Sequence, residues 1–113
     1  MNKLEKLINI AKVVRSKNAG PLYITFDLIF ADAETFRAVS NARVLTPELI
    51  ARLYEANESD VAIFEYGIVN SIKITIPRKY VSGSIYDTDI YGCGQHMPLA
   101  NVTIPMGGGT IHD

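Results

Sequence analysis

The sequence predicts an α+β protein, a two-layer sandwich with about four strands in a mixed or antiparallel sheet and helices on one face. Two observations support this class. Segments with helical and strand periodicity follow one another in the order α-β-α-α-β-β-loop-β. Residues 71–77 alternate apolar and polar side chains, which is typical of a strand with one face on the core. The length of 113 residues favours one domain, residues 1–105, with a flexible tail at 106–113.

The first two predicted elements are a helix and a strand. Apolar residues recur at helical spacing over residues 4–14, and Gly20-Pro21 follows as a stop signal. Residues 22–30 are rich in aromatic and β-branched side chains on both faces, which predicts a central strand. Asp27 lies within this strand, where a carboxylate is costly to bury without a partner.

Two helices and three strands complete the prediction. Asp32 has the character of a helix N-cap, and Thr46-Pro47 begins a second helix that runs to about Tyr54. Strands are expected at 61–66, where Gly67 ends the pattern, and at 71–77. A long irregular loop then precedes a short last strand at 99–104.

Composition excludes several classes of protein. A net charge of −1 argues against nonspecific nucleic-acid binding, which requires a basic face. The single cysteine, Cys93, excludes an intramolecular disulfide. No stretch is apolar enough for a membrane span, and the first residues do not have the pattern of a signal peptide. We therefore expect a cytoplasmic, soluble protein that binds neither nucleic acid nor membrane.

The segment from Pro77 to Pro98 holds most of the candidate functional residues. It is polar and punctuated by glycines within an otherwise apolar chain, which is typical of a binding loop, a catalytic loop or an interface. Its polar side chains are Arg78, Ser82, Ser84, Asp87, Asp89, Tyr91, Gln95 and His96.

Each candidate has a functional and a structural interpretation. Arg78 can grip a carboxylate or phosphate with two hydrogen bonds, or form a surface ion pair. Asp89, with Asp87, can divide acid and base roles or cap a turn. His96 can act as a general base, or donate to a backbone carbonyl. Cys93 and His96 could supply only two ligands, so no metal site is predicted.

Lys17 and Asn18 form a second candidate cluster before Gly20-Pro21. Their ammonium and amide groups can bind an anionic ligand. The same residues can instead end the first helix, because basic and amide side chains favour a helix C-terminus.

These motifs together resemble a family of small bacterial domains of unknown function encoded beside, or fused to, acyclic terpene utilisation protein A (AtuA) family proteins. The resemblance extends over residues 4–105. It rests on Ser16-Lys17-Asn18-Ala19-Gly20-Pro21, Pro77-Arg78, Asp87, Asp89, Tyr91-Gly92, Gln95-His96 and Pro98. The family pattern usually has Ala-Gln where this chain has Cys93-Gly94, which argues against a cysteine nucleophile. The resemblance implies a partner of an AtuA-like protein in catabolism of organic acids or their coenzyme A esters.

Three functions follow as expectations. In the first, the chain is a small subunit that completes the site of an AtuA-like large subunit, at most one part of a lyase or hydratase. His96 and Asp89 would manage protons, while Lys17, Asn18, Arg78 and Gln95 would bind a carboxylate or acyl-CoA ligand. The sequence does not identify a cofactor. In the second, it is a noncatalytic homo-oligomeric module whose loop is an interface. The third is an independent enzyme.

Overall fold

An antiparallel sheet of five strands forms the main layer, in the order β4-β5-β3-β2-β6. A computed structural model describes residues 3–77, 79, 89–90 and 98–106 of the chain. The strands of this sheet are β2 (Val13–Asn18), β3 (Tyr23–Ile29), β4 (Ala62–Tyr66), β5 (Ser71–Pro77) and β6 (Asp89–Ile90). A separate two-stranded ribbon pairs β1 (Lys3–Lys6) with β7 (Thr103–Met106).

The helices lie on one face of this sheet, as the α+β sandwich prediction requires. They are α1 (Leu7–Ile10), α2 (Ala33–Ala42) and α3 (Pro47–Tyr54). Short 3₁₀ turns occur at Glu58–Asp60, Gly67–Val69 and Pro98–Asn101. The predicted fold class is therefore confirmed, with a two-residue fifth strand, β6, added to the four longer ones.

The predicted first helix is wrong. Residues 4–14 contain strand β1, the single turn α1 and the start of β2. Strand β2 pairs with β3 from Val13↔Ile29 to Asn18↔Ile24, so its backbone hydrogen bonds go to a neighbouring strand. The β-branched Val13 and Val14 fit a pleated surface well, and this pairing outweighs the helical spacing of the apolar residues. Gly20 has φ of 85°, a conformation that favours glycine, in the turn joining the two strands.

The next two helices match the prediction closely. The Asp32 side chain accepts a hydrogen bond from the Thr35 backbone N–H at 2.8 Å, and this bond lowers the pKa of the Asp32 carboxyl. The Thr46 hydroxyl accepts one from the Leu49 N–H at 3.1 Å, with Pro47 at the first helical position. Both caps satisfy amides that a helix start leaves unpaired, which is why the start signals were readable from sequence.

The end of the chain differs from the expected strand at 99–104. Pro98–Asn101 form a 3₁₀ turn, and the strand begins only at Thr103, because residues 103–106 pair with β1. Met106, assigned to the flexible tail from sequence, belongs to β7, and residues 107–113 lie outside the described part of the chain. The expected long loop lies largely outside it too, although β6 pairs within that stretch with β2.

The core lies between the main sheet and the elements packed on it. Alternate residues of β3 and β5 pair across the strands and are fully buried: Ile24, Phe26, Leu28, Ile72, Ile74 and Ile76. Phe26 stacks on Tyr54 of α3, with ring centroids 5.4 Å apart. Leu7, Leu99 and Ile104 bring α1, the 3₁₀ turn and β7 into the same cluster. We call this side of the sheet the core face.

Candidate functional site

The other side of the main sheet carries most of its charged and several aromatic side chains. Because residues alternate between faces along a strand, the partners of the core residues point to this side. They include Arg15, Lys17, Thr25, Asp27, Phe64, Tyr66, Ser71, Lys73 and Thr75. We call this side the open face. The Thr25 and Thr75 hydroxyls lie 3.3 Å apart on neighbouring strands, which places hydrogen-bonding groups at its centre.

One cross-strand row of the open face alternates in charge. In backbone register, Asp89 of β6 pairs with Arg15 of β2, and Arg15 pairs with Asp27 of β3. Asp27 in turn pairs with Lys73 of β5, and Lys73 with Phe64 of β4. Residues directly opposite on antiparallel strands have Cβ atoms about 5 Å apart, close enough to interact. The row thus places three charged residues of β2, β3 and β5 beside one another, and the backbone of Asp89 continues the register at one end.

Asp27 and Arg15 form an ion pair within this row. Arg15 Nε donates to Asp27 Oδ2 at 3.3 Å. The Asp27 side chain is largely buried and the Arg15 side chain about one-third exposed, at 11% and 31%. A carboxylate in a central strand needs a partner, and Arg15 is the partner of Asp27. The pair lets the open face carry charge close to the middle of the sheet.

Lys73 makes a different contact. Its Nζ lies 5.7 Å from the centroid of the Tyr66 ring, within the range of a cation–π interaction. Among residues the structure describes, no carboxylate lies within ion-pair distance of Lys73. Lys73 therefore contributes a positive charge to the open face that its neighbours in the described residues do not neutralise directly.

These side chains border a groove of about 460 Å³ that opens to solvent. Its lining consists of Arg15, Asp27, Ile29, Tyr66, Val69, Ser71 and Lys73. The volume lies within the range of small-molecule sites. Two cations, one carboxylate, a hydroxyl and an aromatic ring meet here, so the groove can bind an anion and an apolar group side by side. We treat it as the candidate site.

An exposed apolar strip borders the groove along the outer strand β4. It consists of Phe64, Tyr66, Ile68 and Val69, and we call it the apolar edge. Ile68, in the turn after β4, is 99% exposed. Strand β4 is the last strand in the sheet order, so one side of its backbone has no partner among the described strands. Contiguous apolar surface beside an unpaired strand edge is typical of an interaction surface.

The predicted site residues are only partly within the described residues. Lys17 lies on the open face, exposed and paired with Thr25, but does not line the groove. Asn18 pairs with Ile24, and Asp89 with Arg15, in backbone register. Lys17 and Asn18 belong to β2 and not to a helix end, so the C-cap interpretation is wrong. Arg78, Gln95 and His96 lie outside the described residues, as do Ser82, Ser84, Asp87, Tyr91 and Cys93.

None of the residues that line the groove was predicted to be a site residue, and Arg15, Lys73 and Tyr66 are the important omissions. Arg15 was hidden because its segment was assigned to a helix, where its cross-strand partner Asp27 could not be foreseen. The sequence did identify Lys73 as a polar position of an alternating strand. The structure places its side chain on the face of β5 away from Ile72 and Ile74. The signal that could have revealed the groove is that several strands each carry a charged residue at a position facing away from the core.

No three His, Cys, Asp or Glu side chains in residues 3–77, 79, 89–90 and 98–106 are grouped so that they could hold a metal ion. No helix in the same ranges is long and apolar enough to cross a membrane.

Comparison with known proteins places the chain in a family. The sequence profile of the family described as "Domain of unknown function (DUF4387)" matches residues 7–103, which is most of the chain. The chain therefore belongs to this family of small domains. No curated protein and no solved structure matches it significantly.

Proposed function

We propose that this chain is a cytoplasmic accessory subunit of an AtuA-like protein in the catabolism of organic acids or acyl-CoA esters. In this role it contributes one wall of a small-molecule site, and the partner chain supplies the other. The observation that carries the proposal is the groove on the open face, bordered directly by the apolar edge. Ligand-binding and protein-binding features adjoin on one surface, as a site at a subunit boundary requires.

The groove supports a shared site because it is open. Small-molecule sites usually bury most of their ligand. A groove along a sheet face, lined by residues from β2, β3, β4, β5 and the β4–β5 connection, leaves one side of a ligand uncovered by the described part of the chain. A second chain seated on the apolar edge would cover that side and exclude water.

The apolar edge supports a protein partner. Large side chains that stay in water cost free energy, in proportion to the apolar area left exposed. Ile68, fully exposed, and Phe64, 49% exposed, would be buried by a docking chain. The unpaired side of β4 could also accept backbone hydrogen bonds from an added strand.

The chemistry proposed for the site is that of a lyase or hydratase, to which this chain contributes only part. In the register of β6, Asp89 lies opposite Arg15, at one end of the row. This position supports a place for Asp89 near the groove. His96 remains the proposed second proton carrier, and Arg78, Gln95, Lys17 and Asn18 the proposed ligand contacts. Alanine at each of these six positions would separate loss of turnover from loss of assembly in the complex.

Coexpression with an AtuA-like protein tests the proposal. We expect the two chains to copurify at fixed stoichiometry, and Ile68→Asp to abolish copurification because it places a charge in the buried edge. Leu22→Asp is the matched control, since Leu22 is an exposed apolar residue, 68% exposed, in the turn at the opposite end of β3. If wild-type chains do not associate, or both variants behave alike, the proposal is wrong.

A homo-oligomeric, noncatalytic module is the second candidate. One side of β4 has no partner among the described strands, which favours this candidate because two copies of an edge strand can pair antiparallel about a twofold axis. Light scattering on the isolated chain distinguishes the two. A dimer that Ile68→Asp converts to monomer, without any association with the AtuA-like protein, would favour this candidate.

A further inference from the structure

We infer that the groove binds a monocarboxylate with a short apolar chain, with Lys73 holding the carboxylate and Tyr66 and Val69 contacting the chain. The inference deepens the proposed function and rests on it for the identity of the partner subunit. Its binding test needs this chain alone, because every group invoked belongs to this chain.

Charge selects an anion with one negative charge. Among the described residues, the groove lining holds two cations, Arg15 and Lys73, and one carboxylate, Asp27. Arg15 is already bonded to Asp27 through Nε. That leaves Lys73 as the cation with no carboxylate within ion-pair distance in the described part of the chain, with the Ser71 hydroxyl beside it in the lining. An ammonium and a hydroxyl can each donate a hydrogen bond to a carboxylate.

The same charges disfavour a phosphate ester. A phosphate carries about two negative charges near neutral pH. Asp27 lies opposite Lys73 in the strand register, and its carboxylate would repel a dianion more strongly than a monoanion. A single ammonium is suited to a single carboxylate, whereas phosphate sites usually combine several cations or backbone amides.

The apolar part of the groove selects the chain of the ligand. Ile29, Val69 and the Tyr66 ring line it on the side toward the β4–β5 connection. The volume of about 460 Å³ accommodates an acid of several carbons and not only a formate-sized ion. Burying each methylene should raise affinity about fourfold, so affinity should increase with chain length until the groove is filled.

Lysine is also the anchor that distinguishes a carboxylic acid from its amide. Replacing the carboxylate by a neutral amide removes the charge attraction but keeps the shape. A hydrogen bond to a charged group is about twice as strong as one between neutral groups. The acid should therefore bind more tightly than the amide, while both contact the same apolar wall.

NMR titration of the isolated, isotope-labelled chain tests this inference. Hexanoate, hexanamide and acetate are the probes. We expect hexanoate to shift the signals of Lys73, Ser71 and Tyr66, with hexanamide and acetate each binding at least about tenfold more weakly. Equal affinities for hexanoate and hexanamide, or no shift at these residues with about 50 mM hexanoate, would overturn the inference.

Two variants and a control assign the effect to Lys73. Lys73→Met keeps the side-chain length and should lower hexanoate affinity about tenfold or more, whereas Lys73→Arg should retain most of it. Lys12→Met is the control, because Lys12 is exposed and does not line the groove. Undiminished binding by a folded Lys73→Met variant contradicts the assignment, and the amide spectrum reports whether it is folded. If the chain binds hexanoate but does not copurify with the partner, the proposed function is wrong and this inference stands. If it copurifies but does not bind hexanoate, this inference is wrong and the proposed function stands.

Discussion

The two faces of the main sheet are made by the same strands and differ in almost every other respect. On the core face, Ile24 pairs with Ile76 and Phe26 with Ile74, all fully buried. One residue along each strand, Asp27 pairs with Lys73, and the side chains face the groove. The difference shows how a small domain separates its tasks: one register of each strand stabilises the fold, and the other is left to carry charge and exposed aromatic rings.

The largest expected difference between the two faces is in the stability lost when a phenylalanine on each is replaced. Phe26 is 0% exposed and stacks on Tyr54, whereas Phe64 is 49% exposed on the open face. Phe26→Ala should lower the free energy of unfolding by about 3–5 kcal/mol, because it leaves a cavity. Phe64→Ala should lower it by less than about 1 kcal/mol. Urea unfolding measures both.

A milder variant keeps this comparison measurable if Phe26→Ala does not fold. Phe26→Leu removes less volume and should still cost more than Phe64→Leu. Equal losses at the two positions would mean that the open face stabilises the fold as strongly as the core face does, and the division of tasks would fail.

The Arg15–Asp27 ion pair is a place where the open face should also contribute to stability. Asp27→Asn removes the charge that Arg15 binds, and we expect a loss of about 1–3 kcal/mol. A double-mutant cycle with Arg15→Met isolates the coupling between the two side chains. Glu48→Gln is the control, because the Glu48–Arg52 pair on α3 is exposed and should contribute below about 0.5 kcal/mol. No coupling in the cycle would refute the role of the pair.

Removing the N-cap of α3 tests how much the helices that cover the core face depend on it for stability. Thr46→Ala removes the acceptor for the Leu49 amide and should cost about 1 kcal/mol in the free energy of unfolding. Thr46→Ser keeps the hydroxyl and should restore most of it. Thermal unfolding of the three chains gives the comparison, and identical midpoints would show that the cap contributes nothing.

The smallest effect at neutral pH is expected at Tyr54, whose hydroxyl is buried on the core side. Within the described part of the chain it has no hydrogen-bond partner of standard geometry. Burial raises the pKa of Tyr54, and the nearby Leu99 backbone offsets only part of this rise. Because the folded-state pKa lies above the unfolded value, the neutral form stabilises the fold up to the ordinary pKa of about 10. This contribution is lost as the pH rises above it.

Tyr54→Phe should therefore change stability little at pH 7, since it removes an unpaired hydroxyl. It should also make the fall in stability above pH 10 shallower than in the wild type. Chemical unfolding from pH 8 to 11 compares the slopes, with Tyr23→Phe as a control at an exposed tyrosine. Parallel slopes for all three chains would contradict the account of Tyr54.

The contrast between the faces also explains what the sequence could predict. The starts of α2 and α3 were readable because Asp32 and Thr46-Pro47 act within one turn of the chain. Strand β5 was readable because strict alternation from Ser71 to Pro77 has no helical equivalent. The first segment was misassigned because its spacing fits a helix, and only pairing with β3 and β7 decides otherwise.

The site was harder to predict for the same reason. Residues 15, 27, 66 and 73 meet through strand register, which couples positions far apart in sequence. Sequence reasoning favours dense local clusters, and it selected the segment around Arg78 and His96, whose role stays a prediction. Of its choices, Lys17 lies on the open face, and Asp89 takes a register position opposite Arg15.

Hydrogen–deuterium exchange on the chain, alone and with the proposed AtuA-like partner, tests the central claim most directly. The claim is that the core face stabilises the fold, whereas the open face binds the ligand and its apolar edge binds the partner chain. We expect the partner to slow exchange at residues 62–69, covering β4 and the following turn, and to leave α2 and α3 unchanged. Slower exchange confined to α2 and α3, or no change anywhere, would contradict the claim.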